Sequence, residues 1–222
     1  MPVTSSCVFG LLSLLPSALA APTNVAIAAR QSLDGFYTLT AYAPDNATLN
    51  GAKAQNGGSL YGEKVGQYCP TFVDPCPNGT ETVYSGALYP SAMVPGGQDL
   101  YVTSDGGIHI IVQHSHSIPP DAYWNYQGWS WTALPVPYES LIPSCLVDDP
   151  RFNCEAPTGY WTFHAPDAPD DVGGVVSCPS EYNPDSAVAY AVTPKFNRTD
   201  CVPMIGLGTH NYTGPNPPVW AY

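Results

Sequence analysis

Apolar and polar positions alternate over short stretches, and turn residues interrupt them before a helical period can build up. Residues 36–42 (FYTLTAY) are aromatic and β-branched with alternating character, and they read as a strand. Asn50-Gly51 and Asn56-Gly57-Gly58 mark turns before Ser59-Leu60-Tyr61-Gly62. Thr82-Val83-Tyr84 leads to Ala87-Leu88-Tyr89, and Met93-Val94 runs into the turn Pro95-Gly96-Gly97-Gln98. The strongest hairpin signal joins residues 99–102 to residues 108–112 through a Gly-containing loop, 103–107. Leu100 and Val102 share one face of its first strand, and Ile108, Ile110 and Val112 should line the matching face of the second.

The second half is less regular. Residues 123–131 (YWNYQGWSW) are densely aromatic, and residues 133–157 are proline-rich and carry Cys145 and Cys154. Trp161-Thr162-Phe163 is a short strand, and residues 166–171 (PDAPDD) form an acidic loop. Val175-Val176 and residues 187–192 read as closing strands around Cys178. Short strands at regular spacing with Gly/Pro turns predict an all-β fold. The expected architecture is a single compact antiparallel β-barrel or β-sandwich over 34–222, with long Pro/Gly-rich loops and three disulfides.

Composition narrows the function. The chain has 6 Lys+Arg against 18 Asp+Glu, a net charge of −12, and 25 Pro with 20 Gly among 222 residues. So few cations cannot form the basic face that nucleic acid or an anionic membrane requires. The prolines exclude a coiled coil, and 44% hydrophobic with 12% aromatic content supplies a core that a disordered chain lacks. A monomer that binds neither nucleic acid nor membrane is expected.

Export is predicted from three features. Residues 8–19 (VFGLLSLLPSAL) are apolar but too short to span a bilayer, and they end in Ala18-Leu19-Ala20, the small-residue pattern before signal-peptidase cleavage. Residues 1–20 are therefore expected to be a signal peptide and 21–33 a leader. Removing Cys7 with that peptide leaves Cys69, Cys76, Cys145, Cys154, Cys178 and Cys201, an even number suited to disulfides. Fifteen pairings are possible, and spacing favours Cys69–Cys76, Cys145–Cys154 and Cys178–Cys201. The competing use, zinc ligation, lacks a tight Cys-x-x-Cys pair. Finally, Asn46, Asn78, Asn197 and Asn211 each head an Asn-x-Thr acceptor for N-glycosylation.

Several blocks carry a family resemblance. Tyr68-Cys69-Pro70, residues 76–84 (CPNGTETVY), residues 94–102 (VPGGQDLYV), His114-Ser115 followed by Ile118-Pro119, Tyr212-Thr213-Gly214 and Trp220-Ala221-Tyr222 resemble the fungal IgE-binding-type secreted proteins. Val176-Ser177-Cys178-Pro179 and Asp200-Cys201 are more loosely similar to the phialide-type fungal cell-wall proteins. The resemblance runs from about residue 36 to the end and implies an exported fungal protein, often wall-associated and sometimes allergenic, linked in some relatives to spore formation. It implies no catalytic residues. Residues 133–171 are longer and more acidic than the family's pattern.

Three chemistries suit the residues. Carbohydrate binding would use Tyr123, Trp124, Tyr126, Trp129 and Trp131 as platforms for sugar faces, with Asn125 and Gln127 taking hydroxyls. Against this, Trp129 and Trp131 share one face of a strand and could both be core. A metal site would place His114 and His116 on one strand face, completed by His109, His164 or His210 with Asp121 nearby. Two histidines without a third ligand are ordinarily packing or surface residues, so no metal and no cofactor is expected. The expected mature end is Ala, which excludes an amino-terminal-histidine copper site. Glycoside hydrolysis would draw on Asp148, Asp149, Glu155, Asp170 or Asp171, but these stand in loops with no defined pair. The reading is a secreted, glycosylated, non-catalytic wall or extracellular protein with cell-wall polysaccharide as partner. The alternatives are a secreted carbohydrate-active enzyme or an effector-like protein acting on a host or competitor.

Overall fold

The computed structural model describes residues 33–135, 145–183 and 185–222. The expected signal peptide, the leader as far as residue 32 and residues 136–144 of the proline-rich stretch lie outside the described residues. None of the described residues is helical. The strands of the first half are β1 (Leu33–Tyr42), β2 (Lys53–Gln55), β3 (Ser59–Leu60), β4 (Tyr84–Gly86), β5 (Tyr89–Pro90), β6 (Leu100–Val102) and β7 (Ile108–Ile110). Those of the second are β8 (Tyr123–Trp124), β9 (Trp129–Ala133), β10 (Gly159–Phe163), β11 (Val175–Pro179), β12 (Ala187–Ala191), β13 (Val202–Met204) and β14 (Gly206–Asn211).

The large sheet runs β13-β11-β12-β3-β2-β1-β14-β10-β9, with β4 attached to β1 and β5 to β4. Every pairing is antiparallel. Its two end strands, β13 and β9, do not pair with each other, so the sheet is open. The barrel alternative is thereby corrected: closure requires the last strand to bond the first. A second sheet, β7-β6-β8, contributes Leu100, Val102 and Ile108 to the same buried cluster as Leu39, Leu60, Trp161 and Phe163.

β1 shows why the second sheet and the long loops are needed. Residues 37–42 are all buried, including Thr38 and Thr40, so both faces of this strand are covered rather than one. Its neighbour β14 was not evident from propensity, because Gly206 and Gly208 weaken a strand pattern. The glycines are required by close approach: a Cβ on Gly206 would fall on the Trp161 carbonyl oxygen, and one on Gly208 would sit 3.2 Å from Thr40 Oγ1.

The expected hairpin forms as β6 and β7, with Leu100 opposite Ile110 and Val102 opposite Ile108. It is shorter than expected. Ile111 is 3% exposed and Val112 68%, the reverse of the predicted alternation. The strand stops because the chain turns at residues 112–115, where the Ser115 amide donates to the Val112 carbonyl and His114 adopts φ +61°. The hairpin tip docks on β12: Gly107 bridges Tyr190, and the Ala191 amide donates to Gly106 O at 2.9 Å.

The disulfides pair as spacing favours: Cys69–Cys76, Cys145–Cys154 and Cys178–Cys201, with Cα–Cα distances of 6.4, 5.5 and 4.1 Å. The last ties β11 to the residue preceding β13, its partner at the sheet edge.

Candidate glycan-binding groove

The aromatic stretch 123–131 is divided between core and surface because the chain changes sheet within it. β8 pairs with β6 of the small sheet, and β9 pairs with β10 of the large one. The corner between them is held from inside. Asn125 is buried and its Nδ2 donates to Ala87 O at 3.0 Å, while Gln127 closes the turn on Trp124. The Gln127 amide donates to Trp124 O at 2.8 Å, and the Trp124 amide donates to Gln127 Oε1 at 2.9 Å.

Trp129 and Trp131 follow the core reading. The Trp129 ring meets Phe163 edge-on at 5.2 Å. Trp131 covers Gly159, where a Cβ would overlap its ring, and its Nε1–H donates to Thr209 Oγ1 at 3.2 Å. Both are half-buried against the main cluster. Trp124, half-buried, and Tyr126 are not among the side chains packed against the main cluster. Their ring planes are parallel within 4° with centroids 6.5 Å apart, and Tyr126 is 45% exposed. At that separation the rings do not eclipse one another, so apolar ring area stays available.

Tyr123 belongs to both environments. Its ring edge packs on Phe163 at 5.8 Å, and its hydroxyl donates to Asp167 Oδ1 at 2.8 Å. Burial, and after it the Asp167 hydrogen bond and the charges of Asp167 and Asp121, push the phenol up to about 12. Tyr123 and Gln127 form one wall of a groove of about 340 Å³ whose rim includes Pro120, Pro166 and Pro194. Asp121, Asp167, Lys195 and Ser104 supply its polar groups. Lys195 Nζ lies 2.8 Å from Asp121 Oδ2, and this contact holds the Asp121 carboxyl below the usual carboxylate range. Thr193 Oγ1 donates to Ser104 O at 2.6 Å and fixes the Lys195 segment to the hairpin loop. Carboxylate, amide and ammonium groups between rigid proline faces can take sugar hydroxyls and C–H faces together.

Asp167 and Lys195 were not singled out from sequence. They come to Tyr123 from positions 44 residues away in the first case and through an ion pair spanning 74 residues in the second. No local motif marks such a set.

The other sequence-derived groups do not converge. His114 and His116 follow the end of β7, so they do not share a strand face as expected. His114 packs edge-on to Trp220 at 6.1 Å, His109 lies 5.4 Å from the Tyr101 ring, and His164 Nδ1 contacts Val172 O at 3.0 Å. Buried His210 bonds Thr40 Oγ1 through Nε2 at 2.9 Å, and burial pulls its imidazole down to about 4. Among the described residues no three His, Cys, Asp or Glu side chains gather as metal ligands do. Asp149 is bonded to Arg151, and Glu155 flanks the Cys145–Cys154 loop, away from the groove. Asp148, Asp170 and Asp171 are exposed in turns. Of the sequon asparagines, Asn78, Asn197 and Asn211 are exposed and Asn46 is half-buried.

No family model and no solved structure matches the chain. The chain is similar to an uncharacterized secreted protein of Arthroderma benhamiae, with 26% identity over 202 residues, 83% of this chain and 84% of that protein.

Proposed function

We propose that this is an exported extracellular protein that binds cell-wall polysaccharide without cleaving it, through the Tyr123–Gln127 groove and the adjoining Trp124–Tyr126 pair. The observation that carries the reading is the parallel alignment of those two rings in the turn between Tyr123 and Gln127, residues that line a groove of mixed polar and proline character. Three disulfides suit an oxidising compartment, and the similarity to a protein described as secreted supports export. Hydrolysis of a glycosidic bond needs one carboxyl kept protonated beside a second carboxylate. Within the groove Asp121 is paired with the Lys195 ammonium, the arrangement of an ionised carboxylate and not of a protonated general acid.

Retention on insoluble chitin, β-glucan and fungal wall extract tests the proposal. The wild-type protein should be retained on at least one of these and the Trp124→Ala/Tyr126→Ala double variant released from it. Absence of wild-type retention on all of them would remove the proposal.

A further inference from the structure

A second concavity lies between residues 43–46, which follow β1, and residues 202–205, which run from β13 towards β14. It has a volume of about 460 Å³ and presents Pro44, Val202, Pro203, Met204 and Ile205, with Asn46 in its wall. Val202 and Ile205 are 43% and 45% exposed, apolar surface in a groove whose one charged lining residue is Asp45. The walls are fixed relative to each other. The Ile205 amide donates to Tyr42 O at 2.9 Å, and the adjoining pair Tyr42–Gly206 is in register between β1 and β14. Disulfide Cys178–Cys201 anchors the residue before Val202.

Asn46 is the half-buried member of the four sequons, and its backbone is held in a turn. Its amide donates to Ala43 O at 2.8 Å, and its carbonyl accepts from the amides of Leu49 and Asn50 at 3.1 and 2.8 Å. Its Oδ1 accepts from the amide and hydroxyl of Thr48 at 3.2 and 2.9 Å, while the Nδ2 donors have no partner among the described residues.

We infer that Asn46 carries an N-linked glycan whose first N-acetylglucosamine residues lie along this groove, covering Val202 and Ile205 with their acetyl methyl and ring C–H faces. The inference rests on the export reading above but not on polysaccharide binding. Attachment forms the Nδ2–C1 bond and breaks the C1–O bond to a polyprenyl-diphosphate oligosaccharide donor. The Nδ2 proton leaves with the released diphosphate. Tethering at the groove wall then makes docking intramolecular, so even a small apolar contact is occupied. The apolar lining is what a sugar's C–H face requires and what water does not reward. Asn78, Asn197 and Asn211 are exposed and do not line this groove.

The protein secreted from a eukaryotic host tests this, with site occupancy read by peptide mass mapping. An endoglycosidase that cuts between the two core N-acetylglucosamines is applied to the native protein. The Asn46 glycan should be cut about tenfold more slowly than those at the occupied exposed sites, because cleavage must await undocking. Val202→Ser/Ile205→Ser, exposed positions tolerant of change, should bring the Asn46 rate up to the others. A vacant Asn46 beside occupied exposed sites, or equal cutting rates in the wild type, would overturn the inference. Four vacant sites on secreted protein would overturn it likewise, whereas failure of the full chain to reach the medium would be failure of the export reading instead.

Discussion

The Tyr123 hydroxyl donates to Asp167 Oδ1 at 2.8 Å and so binds β8 to the acidic loop at residues 166–171. That bond shapes one wall of the groove, because Tyr123 and Asp167 both face it. Tyr123→Phe keeps the ring on Phe163 and removes only the bond. Its stability cost should stay near about 1 kcal/mol, the usual value of one hydrogen bond. Retention on the glycan that binds wild type should fall several-fold, measured alongside the urea midpoint.

Core and platform aromatics should separate by stability. Trp131→Ala removes a ring packed on Gly159 together with a bond to Thr209, and is expected to cost about 3 kcal/mol. Trp124→Ala, at a ring not packed on the main cluster, should cost less than about 1 kcal/mol. Equal losses in chemical denaturation would mean that Trp124 is a core residue.

Two glycines with left-handed backbone should behave differently. Gly106 has φ +95°, and an added Cβ would strike the Ala191 carbonyl oxygen that follows β12's edge contact. Gly106→Ala should destabilise by more than about 2 kcal/mol, combining strain with that collision. Gly97 has φ +70° with open space around it, so Gly97→Ala should cost only about 1 kcal/mol. Thermal melts of both variants check the ordering.

His210 makes stability depend on pH. Its imidazole is pulled down to about 4 by burial, from an ordinary value of 6.5. The unfolded chain therefore takes up a proton before the folded one does. The contribution is complete above pH 6.5 and is lost as pH falls towards 4, amounting to about 3 kcal/mol over that window. Denaturation at pH 7.5, 5.5 and 4 should show this loss. His210→Gln, which can still bond Thr40, should reduce the slope; an unchanged slope would assign it to the carboxylates.

Much of the strand content was legible. Residues 36–42, the hairpin strands at 100 and 108, Trp161-Thr162-Phe163 and the stretches at 175 and 187 form strands because local alternation and turn residues already favour them. The disulfide pairs were legible for a related reason, since short spacing brings their partners together cheaply. β14 was hidden: its glycines answer to Trp161 and Thr40, residues distant in sequence. So was the end of β7, where the turn at 112–115 leaves Val112 in solvent.

The sequence by itself determined an acidic, disulfide-bonded, all-β chain with a dense aromatic segment, because composition, spacing and period are local properties. Only the tertiary structure decided that the sheet stays open, that Trp129 and Trp131 pack against the core, and that Trp124 pairs with Tyr126 instead. It also decided that Asp121, Asp167 and Lys195 meet around Tyr123. The physical reason is that strand partners and groove walls are drawn from separated segments. Their assembly depends on which faces can be buried together, a property of the whole packed chain.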